Sequence, residues 1–307
     1  MRTRRSVRQM VPGIGRSPVA GRGIAVTGGA RGIGGAIARE LASRGAKVVI
    51  GDIDIEAARN TATALGLAGA CLLDVTDPGS FERFLGDAEK AVGAVDVLVN
   101  NAGVMPLGRF TEEPDAITRR ILETNLYGVM VGTKHALPRM LSREHGHIVN
   151  ISSLAAENPT PGMATYCASK QAVLGFTEAM RREYRGSGVS FSVVLPTFTR
   201  TEMLAGTRAP FGLLAEPEDV ARAVAGLVER PRRRVAVTRR AGWLAASNKL
   251  TPRPVGEFMM RRLGIDHVFL EDVDGIARRA YDQRVRETPP ASTWPAREPA
   301  GADGERR

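Results

Sequence analysis

The sequence predicts one doubly wound α/β domain on a seven-stranded parallel sheet, followed by a helical C-terminal extension. From Arg22 onward, short β-rich apolar runs alternate with longer stretches of helical period. That rhythm belongs to a parallel sheet buried on both faces by helices. A glycine-rich turn also falls directly between the first strand and the first helix, as doubly wound sheets require.

In chain order, the strands are expected at Gly23–Thr27, Lys47–Gly51, Ala70–Leu73, Val95–Asn100, His147–Ser152, Val189–Leu195 and Arg234–Thr238. The intervening helices are expected at Gly34–Arg44, Ile55–Leu65, Pro78–Val92, Asp115–Arg143, Thr165–Tyr184 and Pro217–Glu229. Seven strands in this order make one domain rather than two. The division expected is a disordered basic segment at 1–21, the α/β domain at 22–240, a helical extension packed on it at 241–286, and a loose tail at 287–307. Within the extension, an apolar patch at Trp243–Ala246 and Pro252 and Pro254 precede helical stretches at Val255–Leu263 and Val273–Arg284.

Composition is that of a soluble globular chain: 307 residues, 43% hydrophobic and 25% charged. Two cysteines, Cys71 and Cys167, argue against a disulfide framework and for a reducing, cytoplasmic setting. The net charge of +10 gathers in two places. Six arginines lie between Met1 and Arg22, and a second cluster holds Arg230, Arg232, Arg233, Arg234, Arg239 and Arg240. Such runs are ordinarily solvated; contact with phosphates or acidic head groups is the other reading, and no nucleic-acid partner is expected. Arg4-Arg5 lacks the apolar core of an export signal, and no apolar stretch approaches the ~18 residues of a membrane-spanning helix. No metal site is expected.

The turn Thr27-Gly28-Gly29-Ala30-Arg31-Gly32-Ile33-Gly34 lets the backbone approach a pyrophosphate at a helix N-terminus. Asp52 lies 18 residues beyond Gly34, at the end of the second strand. An acidic side chain there accepts from adenosine ribose hydroxyls and repels a 2′-phosphate, favouring NAD over NADP. Arg31 argues for the phosphate, and a plain helix cap is the other reading of Asp52.

Together with Leu73-Asp74-Val75 and Asn100-Asn101-Ala102-Gly103, this loop resembles the short-chain dehydrogenase/reductase family, a Rossmann-fold group. The resemblance covers about Gly21 to Glu229. It implies that Asp74 and Val75 flank the adenine and that Asn101, Ala102 and Gly103 pack beside the cofactor. Without the family, Asp74 is a strand-end cap and Asn100-Asn101 a turn.

Tyr166 and Lys170 stand four apart, on one face of a helix. A hydride shift at carbon needs a proton transfer at oxygen. A phenol serves as base only if neighbouring cations lower its pKa by about three units, roughly 4 kcal/mol. Lys170 and an oxidised nicotinamide are the cations expected to do so. The resemblance implies the rest: Ser153, 13 residues before Tyr166 and preferred to Ser152, orients the substrate oxygen, and Asn125 holds a water linking Lys170 to solvent. It also assigns Pro196, Thr199 and Thr201 to the nicotinamide end. Thr197 stands where the family has glycine, which puts the geometry of that loop in question.

The chain is therefore expected to be a nicotinamide-dependent alcohol dehydrogenase or ketoreductase with Tyr166 as general acid/base. The pocket candidates Met105, Leu107, Leu154, Ala155, Met163 and Phe198–Leu214 suit a hydrophobic alcohol or ketone of steroid, terpenoid or lipid type, with Trp243 at its mouth. The long helices resemble those that build homodimers and homotetramers in the family. The alternatives are an NADPH-preferring ketone reductase and a non-catalytic NAD(H)-binding module.

Overall fold

The computed structural model describes residues 18–208, 214–238 and 267–287, with single positions between 254 and 264. Seven strands form one sheet: β1 (Gly23–Thr27), β2 (Lys47–Asp52), β3 (Gly69–Leu72), β4 (Val97–Asn100), β5 (Gly146–Ile151), β6 (Val189–Leu195) and β7 (Arg234–Ala236). Their spatial order is β3-β2-β1-β4-β5-β6-β7, and every neighbouring pair is parallel. The chain runs outward from β1 through β2 to β3, then returns to place β4 on the other side. The crevice between the ends of β1 and β4 is the topological switch point, where such sheets bind ligands.

Helices α1 (Gly32–Ser43), α2 (Ile55–Leu65) and α7 (Pro217–Glu229) cover one face, and α3 (Pro78–Val92), α5 (Gly128–Leu141) and α6 (Ala164–Glu183) the other. The first layer buries Ile37, Leu41, Val224 and Leu227 against Ile24 and Ile50. The second buries Phe81, Phe84, Leu137 and Met140 against Leu98 and Ile148. Because both faces are covered, strand residues are apolar at consecutive positions rather than alternate ones.

Several boundaries differ from those expected. The helix expected at Asp115–Arg143 is divided into α4 (Asp115–Leu122), a wide π-helical turn (Glu123–Tyr127) and α5. The turn carries Asn125, which is fully buried. An inserted residue of this kind redirects a side chain that an unbroken helix would aim elsewhere. The last strand ends at Ala236 rather than Thr238, and Thr238 takes a left-handed φ of 67°. In the extension, α8 (Gly275–Glu287) begins two residues later than expected. Trp243–Ala246 and most of Val255–Leu263 fall outside the described residues, as do residues 1–17, Arg239, Arg240 and the tail from 288. Of the second basic cluster, Arg233 pairs with Glu178 at 2.8 Å and Arg234 with Glu157 at 2.6 Å. No helix among the described residues is long and apolar enough to cross a membrane.

A buried polar ladder ties together the elements that carry the site. Asn100 on β4 donates to Asn150 on β5 at 2.9 Å, and Asn150 donates to Thr177 on α6 at 2.9 Å. Asn150→Ala strands the Asn100 amide in a dry interior. We expect it to lower the unfolding free energy by about 2–3 kcal/mol, read as a lower denaturation midpoint with unchanged m-value.

Candidate active site

The first strand turns into α1 through backbone that only glycine accepts. Gly28 and Gly32 have φ of 63° and 54°. A Cβ on Gly28 would lie 2.9 Å from the Ala102 Cα, and one on Gly34 would collide with the carbonyl oxygen of Gly28. The Asn101 side chain donates to the carbonyls of Thr27 and Gly28 at 2.9 and 3.0 Å. The Thr27 hydroxyl oxygen accepts from the N–H groups of Asn101 and Ala102 at 3.0 and 3.1 Å. The tips of β1 and β4 are thus stapled across the crevice. Arg31 precedes α1 in extended conformation and supplies no side-chain cap. The first-turn N–H groups, with Ile33 between Gly32 and Gly34, are left to face an anion. This side-chain-free cradle fits a dinucleotide pyrophosphate.

On the adenosine side, Asp52 ends β2 and accepts from the N–H groups of Ala30 at 3.0 Å and Asp54 at 3.1 Å. The cap of α2 is Asp54, which accepts from the Ala57 N–H at 3.1 Å. The capping role open to Asp52 from the sequence therefore belongs to its neighbour. A carboxylate has about four acceptor positions, so Asp52 retains capacity for ribose hydroxyls. Arg31 forms an ion pair with Asp54. The Ala57 N–H, then Arg31, holds the Asp54 carboxyl below its usual range against the opposing effect of burial. Asp74 accepts from the N–H and hydroxyl of Thr76 at 2.9 and 2.7 Å, as a strand-end cap would. Val75 is buried beside it.

The loop after β6 closes the other end. The Pro196 carbonyl accepts from Leu154 N–H at 2.9 Å, and Thr199 is buried with its hydroxyl on the Thr197 carbonyl at 2.9 Å. The Thr201 methyl lies 3.5 Å from where a Cβ on Gly32 would stand. Thr197 keeps an ordinary backbone: among the described residues only Glu144 and Thr238 combine a side chain with positive φ. The loop accommodates threonine without left-handed strain.

Ser153, Tyr166, Lys170 and Asn125 meet beyond the end of β5. Tyr166 and Lys170 lie on α6 and are 7% and 4% exposed. Ser153 lies beside the Tyr166 hydroxyl and favours its ionised form, and its Oγ accepts from Ala155 N–H at 3.1 Å. Ser152 is committed elsewhere, donating to the Lys170 carbonyl at 2.7 Å. Lys170 Nζ donates to the Ile151 carbonyl at 3.0 Å and lies 5.7 Å from the Tyr166 ring centre. Asn125 is held at both ends of its amide: Oδ1 accepts from Val104 N–H at 2.8 Å, and Nδ2 donates to the Val104 carbonyl at 2.9 Å and to Ser169 at 3.1 Å. Gly103 lets these groups converge, since a Cβ there would lie 3.1 Å from Asn125 Oδ1 and 3.4 Å from Lys170 Nζ.

The expected downward shift of the phenol is not what this arrangement produces. Burial pushes Tyr166 above its usual value, and Ser153 offsets only part of that. Burial also lowers Lys170 to about 8. Loss of water disfavours phenolate and ammonium alike, and it is the leading cause of both shifts.

Sequence reasoning missed Ser169, Arg278 and Tyr281. Ser169 adjoins Lys170, and its role emerges only where Asn125 reaches it. The hydroxyl of Tyr281 accepts from Met105 N–H at 2.8 Å, and Arg278 is 1% exposed. Both stand on a helix recognisable from its period, but nothing local marks an arginine as buried.

The sequence profile described as short chain dehydrogenase matches residues 22–210. The chain is 35% identical over 217 residues to a 2,5-dichloro-2,5-cyclohexadiene-1,4-diol dehydrogenase of Sphingobium indicum, a match covering 66% of this chain and 87% of the relative. It is 40% identical over 217 residues to a cis-4-hydroxycyclohexanecarboxylate dehydrogenase of Sinomonas cyclohexanicum, with the same coverage of each. It is 37% identical over 213 residues to a 3-oxoacyl-(acyl-carrier-protein) reductase of Escherichia coli, again covering 66% and 87%.

Two outcomes follow from this geometry. Gly34→Ala drives a methyl into the Gly28 carbonyl, so the variant should fold but bind neither NADH nor NADPH, read as loss of the fluorescence change on titration with either. The depressed Lys170 pKa means that the unfolded chain binds more protons between about pH 8 and 10.5. Stability therefore rises with pH across that window. Measured against Lys170→Met by chemical denaturation, the wild-type protein should gain relative stability from about pH 8 upward and show a constant difference below it.

Proposed function

This chain belongs to the short-chain dehydrogenase family, and on that premise we propose that it is an NAD-dependent dehydrogenase of secondary alcohols with a largely apolar body. As a member it is an oxidoreductase acting on CH–OH or carbonyl groups with a nicotinamide cofactor. The observation that carries the finer reading is the contact of Tyr166 with Ser153 above a buried Lys170.

In this reading the Tyr166 hydroxyl exchanges the proton of the substrate oxygen while Ser153 Oγ orients that oxygen and stabilises its developing charge. Lys170, held by the Ile151 carbonyl, keeps an ammonium beneath the ring. Asn125 fixes the backbone beside Lys170 through its paired bonds to Val104. The nicotinamide ring, when bound, supplies the hydride chemistry and, in its oxidised form, a positive charge that favours the phenolate. Gly28, Gly32, Ile33 and Gly34 bind the pyrophosphate, Asp52 the ribose, Asp74 and Val75 the adenine, and Asn101, Ala102 and Gly103 line the cleft. Pro196, Thr199 and Thr201 support the nicotinamide end.

The preference for NAD rests on Asp52 at the end of β2 and on Arg31 being drawn to Asp54. A 2′-phosphate would meet the Asp52 carboxylate and compete with Asp54 for the Arg31 guanidinium. The apolar surroundings of Tyr166, with Met105 and Met163 in the same buried cluster, support an apolar substrate. The named relatives act on compact ring alcohols and on an acyl ketone, a range consistent with this one. A homodimer or homotetramer is proposed on the family resemblance.

Tyr166→Phe should reduce kcat/KM by about 10²–10⁴-fold while leaving NADH affinity intact. In wild-type protein, kcat/KM for alcohol oxidation should rise with pH, because the buried phenol must lose its proton to act as base; carbonyl reduction should fall over the same range. NADH should bind at least about tenfold more tightly than NADPH, a difference of roughly 1.4 kcal/mol. NADPH binding more tightly would reverse the assignment of Asp52.

A further inference from the structure

The family match ends at residue 210, yet the substrate side of the cleft is closed by residues far beyond it. Val268 and Phe269 are buried in the cluster that holds Tyr166, Met105 and Met163. The Phe269 ring stacks on Phe198 with centres 5.6 Å apart and planes 4° from parallel. Two glycines let the segment lie close. A Cβ on Gly162 would collide with the Phe269 carbonyl, and one on Gly206 with the Asp274 carbonyl. Asp274 N–H donates to the Gly206 carbonyl at 2.7 Å.

Helix α8 then grips both loops that flank Tyr166. The Arg278 guanidinium donates through Nη1 to the carbonyls of Met203 at 2.7 Å and Ala205 at 3.4 Å, and through Nη2 to the carbonyl of Met105. Its Nε donates to Asp282 at 3.1 Å. Met105 belongs to the loop after β4, and Met203 and Ala205 to the loop after β6. The same helix reaches each loop a second time, through Tyr281 to Met105 N–H and through an ion pair of Arg284 with Glu202. A guanidinium withdrawn from water is costly unless its donors are satisfied. Here the groups that satisfy it are largely backbone carbonyls of two separate loops, so the buried charge persists only while those loops stay together. A planar fork spans them; the single ammonium of lysine does not.

We propose that Arg278 is a positioning residue that locks these two loops at a fixed separation, and that Phe269, seated by the same segment, is a specificity-determining residue limiting the pocket to compact, ring-sized substrates. This rests on the dehydrogenase reading for its substrate arm but not for its structural arm. Phe269 and Val268 share the buried cluster of Tyr166, so a long chain or fused ring system reaching the phenol would have to displace them.

The test uses the full-length protein, with cyclohexanol as the compact probe and 2-decanol and a decalin alcohol as the bulky ones. Hydrogen exchange is read in parallel on NADH-bound protein. Arg278→Ala should raise exchange at residues 202–206 while leaving the β1, β4 and β5 amides protected. It should also raise KM for cyclohexanol about tenfold with kcat changed less than about threefold, the split expected when binding geometry rather than proton transfer is lost. Arg278→Lys should restore charge but only part of the protection. Phe269→Ala should shift the ratio of kcat/KM for bulky over compact alcohol upward by about tenfold or more, with NADH affinity unchanged. Unchanged exchange at 202–206 in Arg278→Ala overturns the positioning role, whatever the activity. An unchanged selectivity ratio in Phe269→Ala that binds NADH normally overturns the specificity role. Wild-type protein that binds NADH but oxidises none of the three alcohols counts against the ring-sized substrate class and leaves the exchange result to decide the clasp. Failure to bind NADH would instead strike the dehydrogenase reading. Should Arg278→Ala not fold, Tyr281→Phe removes one of the two attachments to Met105, and unchanged exchange at that amide would likewise overturn the clasp.

Discussion

The bond from Lys170 Nζ to the Ile151 carbonyl, at 3.0 Å, joins the last residue of β5 to the helix that carries Tyr166. The reciprocal bond from the Ser152 hydroxyl to the Lys170 carbonyl, at 2.7 Å, closes the pair. Between them, these contacts fix where α6 sits along β5, and hence how far Tyr166 lies from Ser153. The polar ladder of Asn100, Asn150 and Thr177 does the same one layer deeper, and it extends the alignment to β4. A sheet whose interior is otherwise apolar could slide its covering helices with little penalty. Buried hydrogen bonds, which are expensive to break without water, remove that freedom.

The same dryness governs the chemistry. Burial raises Tyr166 and lowers Lys170 together, so the free protein holds a neutral phenol over an ammonium that is easier to deprotonate than usual. Such a pair is loaded to donate a proton and must be recharged to accept one. The Ser153 Oγ accepts from the Ala155 N–H at 3.1 Å, which anchors the side chain beside the phenol. Asn125 works at a distance: the wide turn that carries it brings its amide against Val104 and Ser169, beside Gly103 and the lysine.

Around this centre the chain adds charge outside the family match. Arg278 and Arg284, with Tyr281, hold the substrate-side loops from α8, while inside the match Arg31 balances Asp54. Part of the basic excess seen in the sequence is therefore spent inside the molecule. Arg233 and Arg234 are likewise engaged by Glu178 and Glu157. Both of these arginines remain exposed, as in a solvated basic loop.

The alternation of apolar runs and helical stretches was enough to determine the seven-stranded parallel sheet, and the Gly28–Gly34 turn its switch point. These are local properties: strand burial is written in consecutive apolar residues, and a turn that needs positive φ is written in glycine. Tyr166 and Lys170 were legible because one helix carries their spacing, whereas Ser153 and Asn125 were legible only through the family resemblance. What only the tertiary structure decided depends on residues distant in sequence. It made Asp54 rather than Asp52 the cap of α2 and gave Thr197 an ordinary backbone. It broke the long helix at Asn125 because Val104 and Ser169 lie within reach of its amide. Above all, it turned Arg278 inward onto Met105 and Met203, 173 and 75 residues away. No local pattern encodes a buried guanidinium, since its stability comes from carbonyls that meet only after the sheet has formed.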